Sequence, residues 1–230
     1  MNTRIDPKEE LDYLRSEARR GGGQSKVEAL RASGRKTARE RIDALVDSGS
    51  FMEIDAFVLS RETEHGIDRN AILGDGVIAG SATLDGRRIL CFSQDFSVFG
   101  GSVGEMHAQK IVKIVDMALR ARLPLVAIWD GGGQRAHEGV TSLGMTGEMM
   151  DRLIACSGRI PVISLVMGPV VGASALAAAL ADFVIIGEEH GEFFMSSPLE
   201  TPEVADEGMD SKDLGGAEMH ASRSGIASLV

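Results

Sequence analysis

Cysteine is nearly absent from this 230-residue chain: Cys91 and Cys156 are the only two. They make no disulfide framework and no CxxC pair, which fits a reducing compartment. Positive charge is also short, with 24 Lys/Arg against 34 Asp/Glu and a net charge of −10. General affinity for nucleic acid is therefore not expected. No apolar stretch follows Met1, so no secretory leader is expected and a cytoplasmic location is. The sequence has no GxSxG, which excludes the serine-hydrolase elbow. His65, His107, His137, His190 and His220 show no metal-ligand spacing among themselves or with the cysteines. Gly34-Arg35-Lys36-Thr37 looks like part of a phosphate loop, but it lacks both the Gly before the Lys and a preceding strand. One run is long and uncharged enough to span a membrane, residues 160–181. Gly168-Pro169 splits it near the middle, so a buried strand–loop–helix is expected instead.

What is present is ordinary globular composition, 43% hydrophobic and 25% charged, with a generous 28 glycines. The length suits one core plus an appendage. Residues 1–41 are basic, 11 Lys/Arg against 7 Asp/Glu, whereas the remainder is acidic. That basic segment is either a solvated helix face or a ledge for an anionic ligand. Its pattern predicts helices over 7–20 and 26–47, separated by Gly21-Gly22-Gly23. Two strands, 76–84 and 88–92, flank Asp85-Gly86, a strong hairpin signal. From residue 105 buried strands (123–129, 161–168, 183–187) alternate with helices (105–121, about 143–157, 172–181). The pattern predicts an α/β core with helices packed on a sheet. Its expected limits are 42–230, with 1–41 as a helical N-terminal arm.

Two stretches repeat one arrangement, a buried strand, a sharp glycine turn and then a helix: Trp129-Asp130-Gly131-Gly132-Gly133-Gln134-Arg135 and Gly168-Pro169-Val170-Val171-Gly172-Ala173-Ser174. Free backbone N–H groups at such turns can hold a carbonyl oxygen that gains negative charge, as in an oxyanion hole. The same glycines could also do no more than permit tight turns. His137 and Glu138, just beyond the triple glycine, are candidates for acid or base, or for structural roles.

Several long motifs then match one family in order. Thr37-Ala38-Arg39-Glu40-Arg41-Ile42-Asp43 and Phe92-Ser93-Gln94-Asp95-Phe96-Ser97-Val98-Phe99-Gly100-Gly101-Ser102 closely resemble the carboxyltransferase (beta) subunits of biotin-dependent propionyl-CoA and acetyl-CoA carboxylases. His107-Ala108-Gln109-Lys110-Ile111, Glu138-Gly139-Val140 and Ile163-Ser164-Leu165-Val166-Met167-Gly168-Pro169 continue the match. Leu214-Gly215-Gly216-Ala217 with His220 and Ser224-Gly225 completes it.

The resemblance implies a crotonase-type (ClpP/crotonase) spiral of ββα units whose N-terminal half binds acyl-CoA. It places the oxyanion donors on Gly172 and Ala173. Gly132, Gly133, Gly168, Pro169, Ser196, Ser197 and Pro198 would shape the substrate pocket. The carboxyl group would come from biotin carried on a partner, and no protein side chain need serve as base. The chain departs from the family pattern in several places. The family usually has Gly at Ala173, Ser at Gly131, Ala at Gln134, Gln at His137 and a Thr-Gly-Pro turn where Ser196-Ser197-Pro198 stands. Family subunits carry two crotonase domains and this chain resembles the first. It also lacks the Met-Lys-Met biotin-attachment motif. The expected partners are a subunit with the second carboxyltransferase domain and a biotin carboxyl carrier/biotin carboxylase subunit, within an oligomer. Two alternatives stand beside this: a stand-alone malonyl- or methylmalonyl-CoA decarboxylase of the same fold, and a non-catalytic CoA-binding subunit.

Overall fold

The computed structural model describes residues 6–61, 72–196 and 210–230. Asp85 (φ 48°) and Gly86 (φ 75°) take the two left-handed positions of a tight hairpin turn. That turn joins β2 (Val77–Leu84) to β3 (Arg87–Gln94) in register, Leu84 opposite Arg87 and Val77 opposite Gln94. A two-residue strand, β1 (Met52–Glu53), extends the antiparallel edge. From β3 onward the sheet is parallel, running through β4 (Leu125–Gly131), β5 (Val162–Val171) and β6 (Phe183–Ile186). β7 (Glu192–Phe194) also pairs with β5, beyond the point where β6 stops. The parallel connections run through α4 (Glu105–Ala121), α5 (Gly139–Ile154) and α6 (Ala173–Ala179).

The sheet is covered on both faces, as a parallel sheet requires. Leu90, Phe92, Leu125, Ala127 and Trp129 pack with Ile111, Val115, Met149 and Leu153 of α4 and α5. Within that layer Phe92 meets Trp129 edge to face at 5.0 Å, and the indole N–H donates to Ser164 Oγ at 3.0 Å. The intervening residues Ile89, Cys91, Val126 and Ile128 face the other way. There they meet Ala38, Ile42 and Leu45 of α3 (Ala38–Leu45).

The N-terminal segment therefore takes part in the core. α1 (Pro7–Ala18) buries no residue, and α2 (Gln24–Ala32) buries only Leu30. The expected helix over 26–47 is two helices, because Thr37 starts α3 with a capping box closed by Glu40. The expected arm–core boundary at residue 41 falls inside α3. The run over 160–181 is β5 and α6, and among the described residues no helix is long and apolar enough to cross a membrane.

Both cysteines are fully buried and unpaired. Burial pushes the Cys91 thiol up to about 12 and the Cys156 thiol up to about 11. A raised pKa keeps the thiol protonated at pH 8, and the protonated form is a poor nucleophile. Neither cysteine is expected to react with an aromatic disulfide reagent at pH 8 in the folded protein, and both should react once denaturant is added. Prompt labelling of the native chain would contradict this packing.

Candidate active site

β4 and β5 lie side by side, and their C-terminal ends carry the two glycine turns. Along most of their length they pair residue for residue, Leu125 with Val162 through Trp129 with Val166. The next pair is Gly131 with Val170, so Asp130 lies opposite a bulge formed by Met167, Gly168 and Pro169. Gly168 and Pro169 were expected in the turn; the structure places them inside β5, and the turn itself is Gly172 alone.

Gly172 sits at φ 60°, ψ −124°, a conformation open to glycine and costly to other residues. Its N–H is already donated to the Phe194 carbonyl at 2.9 Å, across the β5–β7 pairing. Of the expected donor pair, only the Ala173 N–H has no acceptor among the described residues. On the facing turn the Gly133 N–H, at φ 84°, likewise has no acceptor among the described residues. The Gly132 N–H, by contrast, is spent on Gly100 O at 3.0 Å. The two turns abut: a Cβ on Gly133 would lie 2.8 Å from Val171 O.

The first turn does not lead straight into a helix. Residues 132–135 are followed by a single helical turn, Ala136–Glu138, and α5 begins only at Gly139. A buried ionic cluster holds this loop down. Arg135, fully inaccessible, pairs with Asp75 at 2.6 Å and with Glu138 at 2.8 Å. Its remaining N–H groups reach Ser102 O at 3.0 Å. Glu138 also accepts from Ser60 Oγ at 3.1 Å and from the Glu105 N–H at 2.5 Å. Glu138 is thus fully engaged in structure. His137 is exposed, its ring edge-on to Phe99 at 5.9 Å.

A neutral chain of hydrogen bonds supports the end of β4. Burial, aided by the charge of Arg135, holds His107 well below its usual pKa. His107 Nδ1 lies 3.1 Å from Asp75 O, an acceptor only, so the proton sits on that nitrogen. Nε2 then accepts from Gln94 at 3.3 Å, and Gln94 Oε1 accepts the Asp130 N–H at 3.1 Å. Nothing in the local sequence around His107 signals this role, because its partners Asp75 and Gln94 come from two other segments.

The Asp130 carboxylate is nearly inaccessible and faces two arginines from the N-terminal segment. Arg35 pairs with Oδ1, and Arg41 lies 2.6 Å from Oδ2. Burial raises the Asp130 carboxyl above its usual pKa, opposed by Arg41 and then Arg35. Arg35 also stacks on Phe96, 4.1 Å from the ring centre. Lys26, Ser33, Arg35, Phe96 and Gly100 line a cleft of about 350 Å³. Ser196 is exposed beyond β7, and Ser197 and Pro198 lie outside the described residues. Among the described residues no group of three or more His, Cys, Asp or Glu could hold a metal ion.

The carboxyl transferase domain family matches residues 29–230. The chain is 44% identical over 219 residues to the propionyl-CoA carboxylase beta chain of Cereibacter sphaeroides, covering 95% of this chain and 43% of that one. To the mitochondrial propionyl-CoA carboxylase beta chain of Mus musculus it is 42% identical over 225 residues, covering 97% and 42%. It thus spans less than half the length of these relatives. Among solved structures, the hexameric transcarboxylase 12S with methylmalonyl-coenzyme A and methylmalonic acid bound superposes with a TM-score of 0.94 at 35% identity, covering all of this chain and 45% of that one. A chain of a Pseudomonas malonate decarboxylase hetero-tetramer in complex with malonate gives 0.73 at 25% identity, covering 84% and 75%. The fold is the crotonase type of these proteins.

Proposed function

The chain belongs to the carboxyl transferase domain family, and from that premise we propose that it is the acyl-CoA-binding half of a carboxyltransferase site. It would hold a short acyl-CoA and stabilise the thioester enolate during carboxyl transfer. The observation that carries this reading is the pair of uncommitted N–H groups on abutting turns, Gly133 and Ala173. Two fixed donors suit a thioester oxygen that becomes negative as the α-proton leaves, because they need no reorganisation in the transition state. Gly172 contributes its backbone angle, not its N–H. The cleft beside Lys26 and Arg35 would take phosphates of the CoA, and it shares Gly100 with the Gly132 turn.

No described acid or base competes for the α-proton: Glu138 is consumed by Arg135, and His137 is turned out. On this reading the carboxyl group and the proton acceptor come from biotin on a partner protein. A second subunit would supply the facing domain. The exposed Val140 and Leu143 on α5, Leu176 on α6 and Met195 support such a partner. The test is to purify the chain from its source, identify what co-purifies, and assay carboxyl transfer to propionyl-CoA. A complex that transfers no carboxyl group in either direction would overturn the reading. In that reconstituted assay His137→Ala is expected to change the rate by less than about tenfold, whereas loss of a true general base costs about 10²–10⁴.

One observation favours a second reading, biotin-independent decarboxylation of a malonyl thioester. The malonate decarboxylase chain is covered to 75% of its length, against 45% for the transcarboxylase 12S chain. The same two N–H groups would serve, since decarboxylation passes through the same enolate. Turnover of malonyl- or methylmalonyl-CoA that is insensitive to avidin would select it.

A further inference from the structure

Asp130 sits between the two turns, next to Gly131 on one strand and opposite the bulge on the other. We propose that it is a positioning residue that sets the separation of the Gly133 and Ala173 donors; the proposal rests on the acyl-CoA reading above. Its carboxylate fills the space where Gly168 has no side chain, since a Cβ there would collide with Oδ1 and Cγ. Arg41 closes the arrangement by facing Oδ2 and donating through Nη2 to the bulge carbonyl, Met167 O, at 2.9 Å. One guanidinium thus ties the end of β4 to the bulge of β5. Three residues beyond Asp130 comes the Gly133 N–H, and a few residues beyond the bulge comes the Ala173 N–H.

The arrangement is poorly explained as a stabilising device. Buried ion pairs contribute little net stability and can often be replaced by apolar residues. Here an anion and one cation are buried and a second cation is partly buried, and Arg35 Nε, Arg41 Nη1 and Asp130 Oδ2 have no aligned hydrogen-bond partner among the described residues. What the cluster does is hold two strand ends in a register that ordinary β-pairing does not supply.

The test uses the 230-residue chain and propionyl-CoA carrying a ¹³C carbonyl. Infrared difference spectra read the carbonyl stretch, which moves to lower frequency when N–H groups donate to it. Titrations with propionyl-CoA and with free CoA read affinity. In the unaltered chain the stretch should shift down on binding. In Asp130→Asn the shift should be lost and propionyl-CoA affinity should fall by about 3- to 10-fold, the worth of an ordinary hydrogen bond or two. Affinity for free CoA should hold. Arg41→Lys keeps the charge but cannot span both acceptors, and should lose part of the shift; it decides the matter if Asp130→Asn does not fold. A full shift in Asp130→Asn, or in Arg41→Lys where that variant decides, overturns the positioning role, as does equal loss of affinity for both ligands. No shift in the unaltered chain instead overturns the paired-donor reading, and the proposal falls with it.

Discussion

Gly133→Ala is expected to lower the rate of carboxyl transfer by about 10²–10³-fold, the usual cost of one oxyanion donor, while the protein stays folded. Two effects act together. The residue sits at φ 84°, where an L side chain is strained by about 1–2 kcal/mol. The new methyl would also lie 2.8 Å from Val171 O, closer than real Cβ contacts come. Relief requires the Gly133 turn to rotate or to withdraw from β5, and either movement takes its N–H away from the oxygen it is proposed to share with Ala173. The loss should fall mainly on kcat, because the interaction strengthens only as negative charge develops. Gly172→Ala makes a useful contrast. Its Cβ would meet only Met195 O, at 3.8 Å, and its N–H is spent on Phe194, so backbone strain alone acts and a milder loss is expected. The bulkier Gly172→Val should still block turnover by crowding the oxygen's position. The comparison needs kcat and KM for each variant in the reconstituted enzyme. An unimpaired Gly133→Ala would remove Gly133 from the site.

Gly168→Ala should be strongly destabilising. The added Cβ would overlap the Asp130 carboxylate and approach Arg35 Nη2 at 2.6 Å. Asp130 cannot yield cheaply, because it is held by Arg35 and Arg41 and its movement would leave the buried Arg41 without its counterion. Breaking such a buried pair costs about 3–5 kcal/mol. For a chain of this size that is roughly a 6–20 °C fall in Tm. Thermal unfolding followed by circular dichroism measures it. A shift of only a degree or two would mean that the bulge adapts and that the cluster is looser than its geometry implies.

The elements legible in the sequence are those with a local cause. Asp85-Gly86 predicts the hairpin, and the helix over 105–121 is found with the same limits because its apolar stripe is long and regular. The split at residue 37 was also written locally, as Thr37 and Glu40 three apart, but the basic run around it reads as one helix. The early start of α5 had no such signal: it begins at Gly139 behind Glu138, without a side-chain cap. In the site, the resemblance pointed to the Gly172 N–H, which the fold already commits to Phe194. The commitment of Gly172 to Phe194 depends on the pairing of β5 with β7, which no local pattern reveals. Asp130, Arg35 and Arg41 lie in segments the sequence singles out, but nothing there shows that they meet. Their partners are 95 and 126 positions away along the chain.

Those same separations bear on how the chain reaches its native state. α3 needs the back of the finished sheet to cover, and Arg41 needs the β5 bulge before its carbonyl acceptor exists. A ribosome makes α3 before the strands it covers, and its docking site is complete only after residue 167 has emerged. Contacts this distant in sequence are slow to form, because loop closure must precede the reward. α3 is thus synthesised before the strands it covers and docks only after them. Until it does, the apolar strip of Ile89, Cys91, Val126 and Ile128 stands uncovered, open to chaperones and to other nascent chains.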